Sequence, residues 1–377
     1  MENSVDDRLK KLSDKGVIIV DPRQTYVSAD VDLDRIYGGC ALHPGTRLTG
    51  SRTLIGTGAI IGAEGPAVVE DSIIGPAAEV ASGFLSGAVM LPGARAGANS
   101  HFRAGTLLEE DASTAHSVGL KQTILMHSVT LGSLINFCDV LISGGRSRGE
   151  HTEVGSGFIH FNYSPWGKNG NKATPSLIGN VTDGVFLDSD RIFLGGLSGI
   201  AGPVSIGFGA LTGAGQVIRE SVGESTMHSE ASREIDKKMP LSEYRLSERQ
   251  INNIRSKNVE YIAQLYALKG WYSQIRQKRS AAVGDAEMSL VLEGAVETIK
   301  DCIRERIQRF NGFAKEWSSP AIDGLTPDDG FPALTALPDL KPALTHTEWV
   351  KSLSEKEKRD LREWLESRPF TLSSPAP

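Results

Sequence analysis

A six-residue beat constrains this chain more than any other feature. From Val31 the sequence falls into the blocks VDLDRI, YGGCAL, HPGTRL, TGSRTL, IGTGAI and IGAEGP. The sixth place of the first five blocks is aliphatic: Ile36, Leu42, Leu48, Leu54 and Ile60. The second place of the later blocks is Gly38, Pro44, Gly50, Gly56 and Gly62. A helix repeats near 3.6 residues and a strand at 2, so neither alone gives a period of six. A coil of short strands joined by tight corners does, with three sides making one turn of a triangular prism in about eighteen residues. The beat slips and returns in IIGPAAEV (73–80), LIGNV (177–181) and VSIGFGALTGAGQVI (204–218).

The glycines divide the chain. Thirty-four of the 41 lie before residue 220, which separates a corner-rich part from a corner-poor one. In a stack of coils the aliphatic row faces inward, and stability is roughly a sum over neighbouring coils. An antiparallel barrel or sandwich is the competing architecture, but neither requires one period to persist in register over many blocks.

Composition excludes several classes. The net charge of −6 and the pI near 5.8 argue against a nucleic-acid or anionic-membrane surface. Cys40, Cys138 and Cys302 lie far apart and form no CxxC knuckle, which suits a reducing compartment. The opening MENSVDDRLKKLSDKG has no apolar signal core, and no later stretch approaches eighteen apolar residues. A soluble, cytoplasmic protein is expected, with no metal.

The expected organisation has four parts. Residues 1–16 form a short helix or arm, 17–219 the β-helix, 220–317 a helical hairpin or coiled-coil region, and 318–377 a Pro-rich linker with a short terminal helix. Loops should leave the prism at GRSRGEHTE (145–153) and SPWGKNGNKATP (164–175). Ile251, Ile254, Asn258, Tyr261, Leu265, Leu268, Tyr272 and Ile275 are spaced alternately by three and four, a heptad seam in which Asn258 would fix register. A second stripe runs over about 285–317, with SAAVGD (280–285) as the turn between the helices.

Several segments then resemble one family in the right order. They are the opening GVIIVDPRQTYV, SHFRAGT (100–106), VGLKQTIL (118–125) and FNYSPWGKNGNKATPSLIG (161–179). The resemblance is to the hexapeptide-repeat acyltransferases. Within them it is to the C-terminal acetyltransferase domain of the bacterial bifunctional UDP-N-acetylglucosamine pyrophosphorylase/glucosamine-1-phosphate N-acetyltransferase, over about residues 16–219. It implies a left-handed parallel β-helix, a homotrimer, and acetyl-CoA or another acyl-CoA as co-substrate. It places Arg103, Lys121 and Lys172 on a sugar phosphate, Asn162 and Tyr163 beside the sugar, and Ser189 and Ala214 near the acyl-CoA. A guanidinium pairs with two phosphate oxygens and an ammonium adds a point charge, so the basic positions suit such a ligand.

The departures matter as much. The family's general-base His and its Tyr align with Ser133 and Asn136 of Ser133-Leu134-Ile135-Asn136, and a pocket Asn aligns with Glu153. A serine hydroxyl does not take up an amine proton unaided near neutral pH. His160 is the replacement base we expect, because alternation along FIHFNY places it on the face of Asn162, with Glu153 to orient it. The spacings of fifteen and eleven between His101, His116 and His127 do not match the zinc ligands of γ-class carbonic anhydrases, which share the hexad coil. No G-x-S-x-G elbow, P-loop or Gly-rich nucleotidyltransferase loop is present. The expected function is acyl transfer to an amino or hydroxyl group of a sugar phosphate or nucleotide sugar. The alternative is a non-catalytic nucleotide-sugar-binding or scaffold protein that docks a separate nucleotidyltransferase.

Overall fold

The computed structural model describes residues 4–161, 173–231, 234, 236, 238, 246–322, 324–334 and 337–367. Its first part is a parallel β-helix, the coil expected from the repeat, and helices follow. Apart from the antiparallel pair of Gly145–Ser147 with Glu150–His151, strands pair in parallel with the strand one coil on: Ile18 with Ala41, Ala41 with Ile60, Ile60 with Glu79. The first face is an 11-stranded sheet running from Ile18–Ile19 to Met227–His228. The second face starts at Tyr26–Val27 and ends at Val217–Ile218. The third starts at Leu54–Ile55 and ends at Ser205–Ile206. Strands Gly119–Leu125 and Asn136–Ile142 pass round the corner between the second and third faces without a break, which merges the two into one sheet. Gln122 and Asp139 take φ of 49° and 60° to make that bend.

The inner row is Ile36, Leu42, Leu48, Ile55, Ile61, Ile74, Met90, Leu108 and Leu125, all without solvent exposure and in one cluster. The beat slips by one residue after Gly50. Leu54 and Ile60, expected inside, point outward, and their neighbours Ile55 and Ile61 take the inner places. Gly50 has a φ of 88°, and a Cβ there would collide with the Asp71 carboxylate of the next coil.

Helix α1 (Val5–Asp14) closes the first coil with Leu9 and Leu12, and Ser4 caps it. The short helix α2 (Val181–Gly184) starts at the Asn180 cap. Helix α3 (Glu248–Trp271) opens on a Ser247–Gln250 capping box and continues through a π turn at Tyr272–Arg276 into α4 (Gln277–Val283). Gly284 ends α4 in the left-handed region and Asp285 caps α5 (Ala286–Glu316). The chain finishes with α6 (His346–Lys351) and α7 (Glu355–Glu366), each with its own capping box.

The heptad seam pairs within the chain, with the second helical stripe. Helices α3 and α5 pack on each other and on the third face. The outward residues of that face, Leu54, Ile73, Val89, Leu107, Ile124 and Leu141, are buried in one cluster with Leu265, Val291, Ile299 and Ile303 of the helices. Each such side chain contributes about 1.5–3 kcal/mol by leaving water. Gly294 lets α5 approach, since a Cβ there would meet Ile73 Cδ1. Asn258, expected to set helix register, ties α3 to the prism instead, its Nδ2 donating to the Ala173 carbonyl at 2.9 Å. Trp271, fully buried, packs against Phe186, His346 and Trp349 at ring distances of 5.8, 5.9 and 6.1 Å. Among the described residues no helix is long and apolar enough to cross a membrane.

Candidate active site

The outward positions of the second face turn polar in mid-prism. Along it the register stacks Arg47, Val68, Phe84, His101, Gly119, Asn136 and Ile159 in one column. Two residues further along each strand lies a second column, in which Lys121 pairs with Cys138. Arg103 follows Phe102, which pairs with Leu120, so it stands beside Lys121. Neighbouring strands are about 4.8 Å apart and alternate residues about 6.6 Å, so these groups share a small patch. Gly119 opens its centre, and a Cβ there would lie 3.2 Å from Asn136 Oδ1.

The structure therefore brings together Arg103 and Lys121, two of the residues expected to hold phosphate. The Arg103 guanidinium reaches Cys138 Sγ at 3.9 Å, and Lys121 Nζ lies 3.6 Å from Glu305 of α5. Glu305 is shared with Arg309 at 3.4 Å, and behind it Arg306 pairs with Asp139 at 3.1 Å, its side chain only 3% exposed. Burial, aided by Asp139, raises the Cys138 thiol above its ordinary pKa against the pull of Arg103 and Lys121. Cys138 is thus a neutral thiol and not a ready nucleophile.

The opposite end of the same strands is a corner that sequence reasoning passed over. Ser133 Oγ and His116 Nδ1 are 3.0 Å apart, in a solvent-facing pair on successive coils. The Ser133 amide donates to Ser156 Oγ at 3.0 Å, and the Leu134 amide to the His116 carbonyl at 3.1 Å. The signal lay in the numbers. These coils are seventeen residues long here, as the pairing of Gly119 with Asn136 shows, so position 116 falls beneath 133.

His160 requires a correction. Ile159 and Phe161 face outward, and His160 turns into the prism, 6% exposed. Its Nε2 lies 2.9 Å from Ser176 Oγ, which accepts from the Val204 amide at 3.2 Å. Burial pushes its pKa down to about 4, so it is a neutral tie between coils. Glu153 is corrected with it, because it stands on the first face between Thr130 and Phe193 and cannot orient His160. Ser189 and Ala214 are also kept apart. The Ser189 carbonyl accepts from Gly145 at the corner of the third and first faces, near Lys358 and Arg362 of α7. Ala214 follows Leu211–Thr212 at the other side of the first face. Asn162, Tyr163 and Lys172 lie outside the described residues.

A cavity of about 750 Å³ lies elsewhere, between the third-to-first corner and the α4–α6 region. On its wall Arg276 pairs with Glu110, Asp285 caps α5, and Glu348 closes the α6 capping box. Among the described residues no three His, Cys, Asp or Glu side chains gather as a metal site.

No family model matches the chain. The bifunctional protein GlmU of Shouchella clausii is 28% identical over 223 residues, 59% of this chain and 43% of that protein. GlmU of Mycobacterium bovis is 30% identical over 207 residues, 55% of this chain and 36% of its own. GlmU of Fervidobacterium nodosum is 32% identical over 229 residues, 61% and 45% of the two chains. The chain is similar to the GlmU proteins. It spans less than half the length of these curated relatives. Among solved structures, UDP-N-acetylglucosamine O-acyltransferase (LpxA) of Moraxella catarrhalis covers 77% of this chain with 95% of its own, at 12% identity and a TM-score of 0.29. The likeness to GlmU rests on sequence.

Proposed function

We propose that this protein is a hexapeptide-repeat acyltransferase. It moves an acetyl or other acyl group from a CoA thioester to an amino or hydroxyl group of a sugar phosphate or nucleotide sugar. The observation that carries the reading is the patch on the second face. Arg103 and Lys121 stand side by side as charge donors for a phosphate, and Gly119 leaves room beside Asn136 for a ring. The likeness to GlmU supports the same substrate class. Acetyl-CoA is the donor proposed first, with Ser189 and Ala214 as its proposed contacts. Lys172, Asn162 and Tyr163 complete the proposed sugar site.

A second reading is a non-catalytic sugar-nucleotide binder that docks a separate nucleotidyltransferase. The inward turn of His160 and its separation from Glu153 favour it. Purified protein incubated with acetyl-CoA and glucosamine-1-phosphate separates the two. Release of free CoA thiol with formation of an acetylated sugar supports the transferase. Calorimetric binding of the sugar phosphate or of UDP-N-acetylglucosamine without turnover supports the binder.

The proposed assembly is a homotrimer in the cytoplasm. Phe193, Leu211 and Met227 form an exposed apolar column on the first face, and the chain's own helices already cover the third. Light scattering should give three times the chain mass of 40.4 kDa, and a stable monomer at micromolar concentration overturns the assembly. The four-part division at 16, 219 and 317 is retained as the proposed domain organisation, with the helical part sharing a core with the prism.

A further inference from the structure

We propose that His116, oriented by Ser133, is the general base of this site. The assignment rests on the acyl-transfer reading and supplies the proton acceptor which that reading otherwise lacks.

The argument starts from the phosphate end. With phosphate on Arg103 and Lys121, a sugar ring runs back along the strand over Gly119 and Asn136. The corner reached next in that direction carries His116 and Ser133. His116 is five residues before Lys121, so the two ends lie no more than about 17 Å apart along the chain and closer across the bend. A pyranose with its phosphate fills much of that distance, and its far substituent meets the imidazole. The neighbouring histidines serve less well. His101 rests on the ring of Phe84 at 5.4 Å, and His160 is sealed in the prism.

The proposed base is the tautomer in which Nδ1–H donates to Ser133 Oγ, 3.0 Å away, and the Nε2 lone pair is the acceptor. Ser133 is held in turn through its amide by Ser156, so the imidazole stands on a fixed support. In the transfer step the acceptor amine or hydroxyl attacks the thioester carbonyl carbon, and a C–N or C–O bond forms. Its proton passes to His116 Nε2. The tetrahedral adduct then expels the CoA sulfur as the C–S bond breaks, and the imidazolium returns the proton to the thiolate. Charge and atoms balance without an added reagent. Ser133 touches no reacting atom and is a positioning residue.

The test is steady-state acetyl transfer from acetyl-CoA to glucosamine-1-phosphate, followed by thiol release and product mass. His116→Ala should lower kcat by roughly 10²–10⁴-fold, with KM for the sugar phosphate and the melting temperature unchanged. If the alanine variant melts early, His116→Gln is read instead, since it keeps the bulk and a hydrogen-bonding side chain. Ser133→Ala should lower kcat by a smaller factor at constant KM, and Ser133→Thr should restore it. Turnover by a folded His116 variant within twofold of the wild type overturns the base assignment and leaves the transferase reading standing. A wild type that binds the sugar phosphate in calorimetry yet forms no acetylated product overturns the transferase reading, and the base assignment with it.

Discussion

The second and third faces are cut from the same coils and differ only in what they turn outward. On the third, the outward row is Leu54, Ile73, Val89, Leu107, Ile124 and Leu141, and α3 and α5 bury it. On the second, the matching positions are Arg47, Val68, Phe84, His101, Gly119 and Asn136, and no described helix covers that column. The hexad beat dictates the inner row on every face but leaves the outer row free. One outer row has become a second hydrophobic core and the other a patch of charge and hydrogen-bonding groups. A third-face strand therefore holds the fold on both sides, whereas a second-face strand holds it on one and has the other available for a ligand.

The sharpest way to break this contrast is to truncate each face and compare. Leu107→Ala, in the outward row of the third face, should cost about 2–5 kcal/mol in urea unfolding. Asn136→Ala on the open face should stay within about 0.5 kcal/mol. Equal losses would erase the distinction.

Acid provides the next test. Folded His160 resists protonation down to about pH 4, while in the unfolded chain it titrates near 6.5. The unfolded state therefore binds the extra proton between those values, and stability falls as pH drops across that window. The loss is on the order of 3 kcal/mol when the lower limit is reached. His127 and His346, also depressed chiefly by burial, act in the same direction. His160→Gln should remove part of the acid slope in denaturation midpoints measured from pH 7 to 4. An unaltered slope means that His160 is not sealed inside.

On the open face, Arg103→Ala or Lys121→Ala should weaken glucosamine-1-phosphate binding by about 1.5–3 kcal/mol, with the melting temperature unmoved. Equal affinities by calorimetry would remove phosphate from this patch. The smallest expected effect concerns the helix strap. Glu287 accepts from the Thr57 amide at 2.7 Å and from its hydroxyl at 2.8 Å. Glu287→Ala should cost about 0.5–1.5 kcal/mol, measured as a shift in the urea midpoint.

Much of the fold was legible because the inner row cannot vary without losing the coil. The turn at SAAVGD was legible too, since Gly284 is the left-handed cap and Asp285 the next helix's first acceptor. The covering of the third face was readable but unread. Leu54–Ile55, Ile73–Ile74, Val89–Met90, Leu107–Leu108 and Ile124–Leu125 are adjacent apolar pairs, and adjacent positions on a strand point to opposite sides. Both sides had to be dry. At the site, Arg103 and Lys121 came from motif likeness and the structure set them together. His160 misled because alternation gives a shared face without saying whether that face points in or out. His116 escaped because a seventeen-residue coil, not local sequence, places it beside Ser133.

Helix α5 has a mechanical consequence. A bare solenoid behaves like a spring, since each coil grips only the next. Glu287 holds Thr57, Cys302 Sγ meets the Gly105 carbonyl at 3.3 Å, and Arg306 holds Asp139. From 287 to 306 the helix rises about 28 Å, and the five coil steps from Leu54 to Leu141 climb about 24 Å. The two lengths match closely enough for the helix to serve as a splint along half the prism. Stretching or bending those coils must strain a hydrogen-bonded rod as well as slide strands. The spacing between the rows of Arg103, Lys121 and Cys138 is thus stiffened from behind, by a part of the chain that closes over a different face.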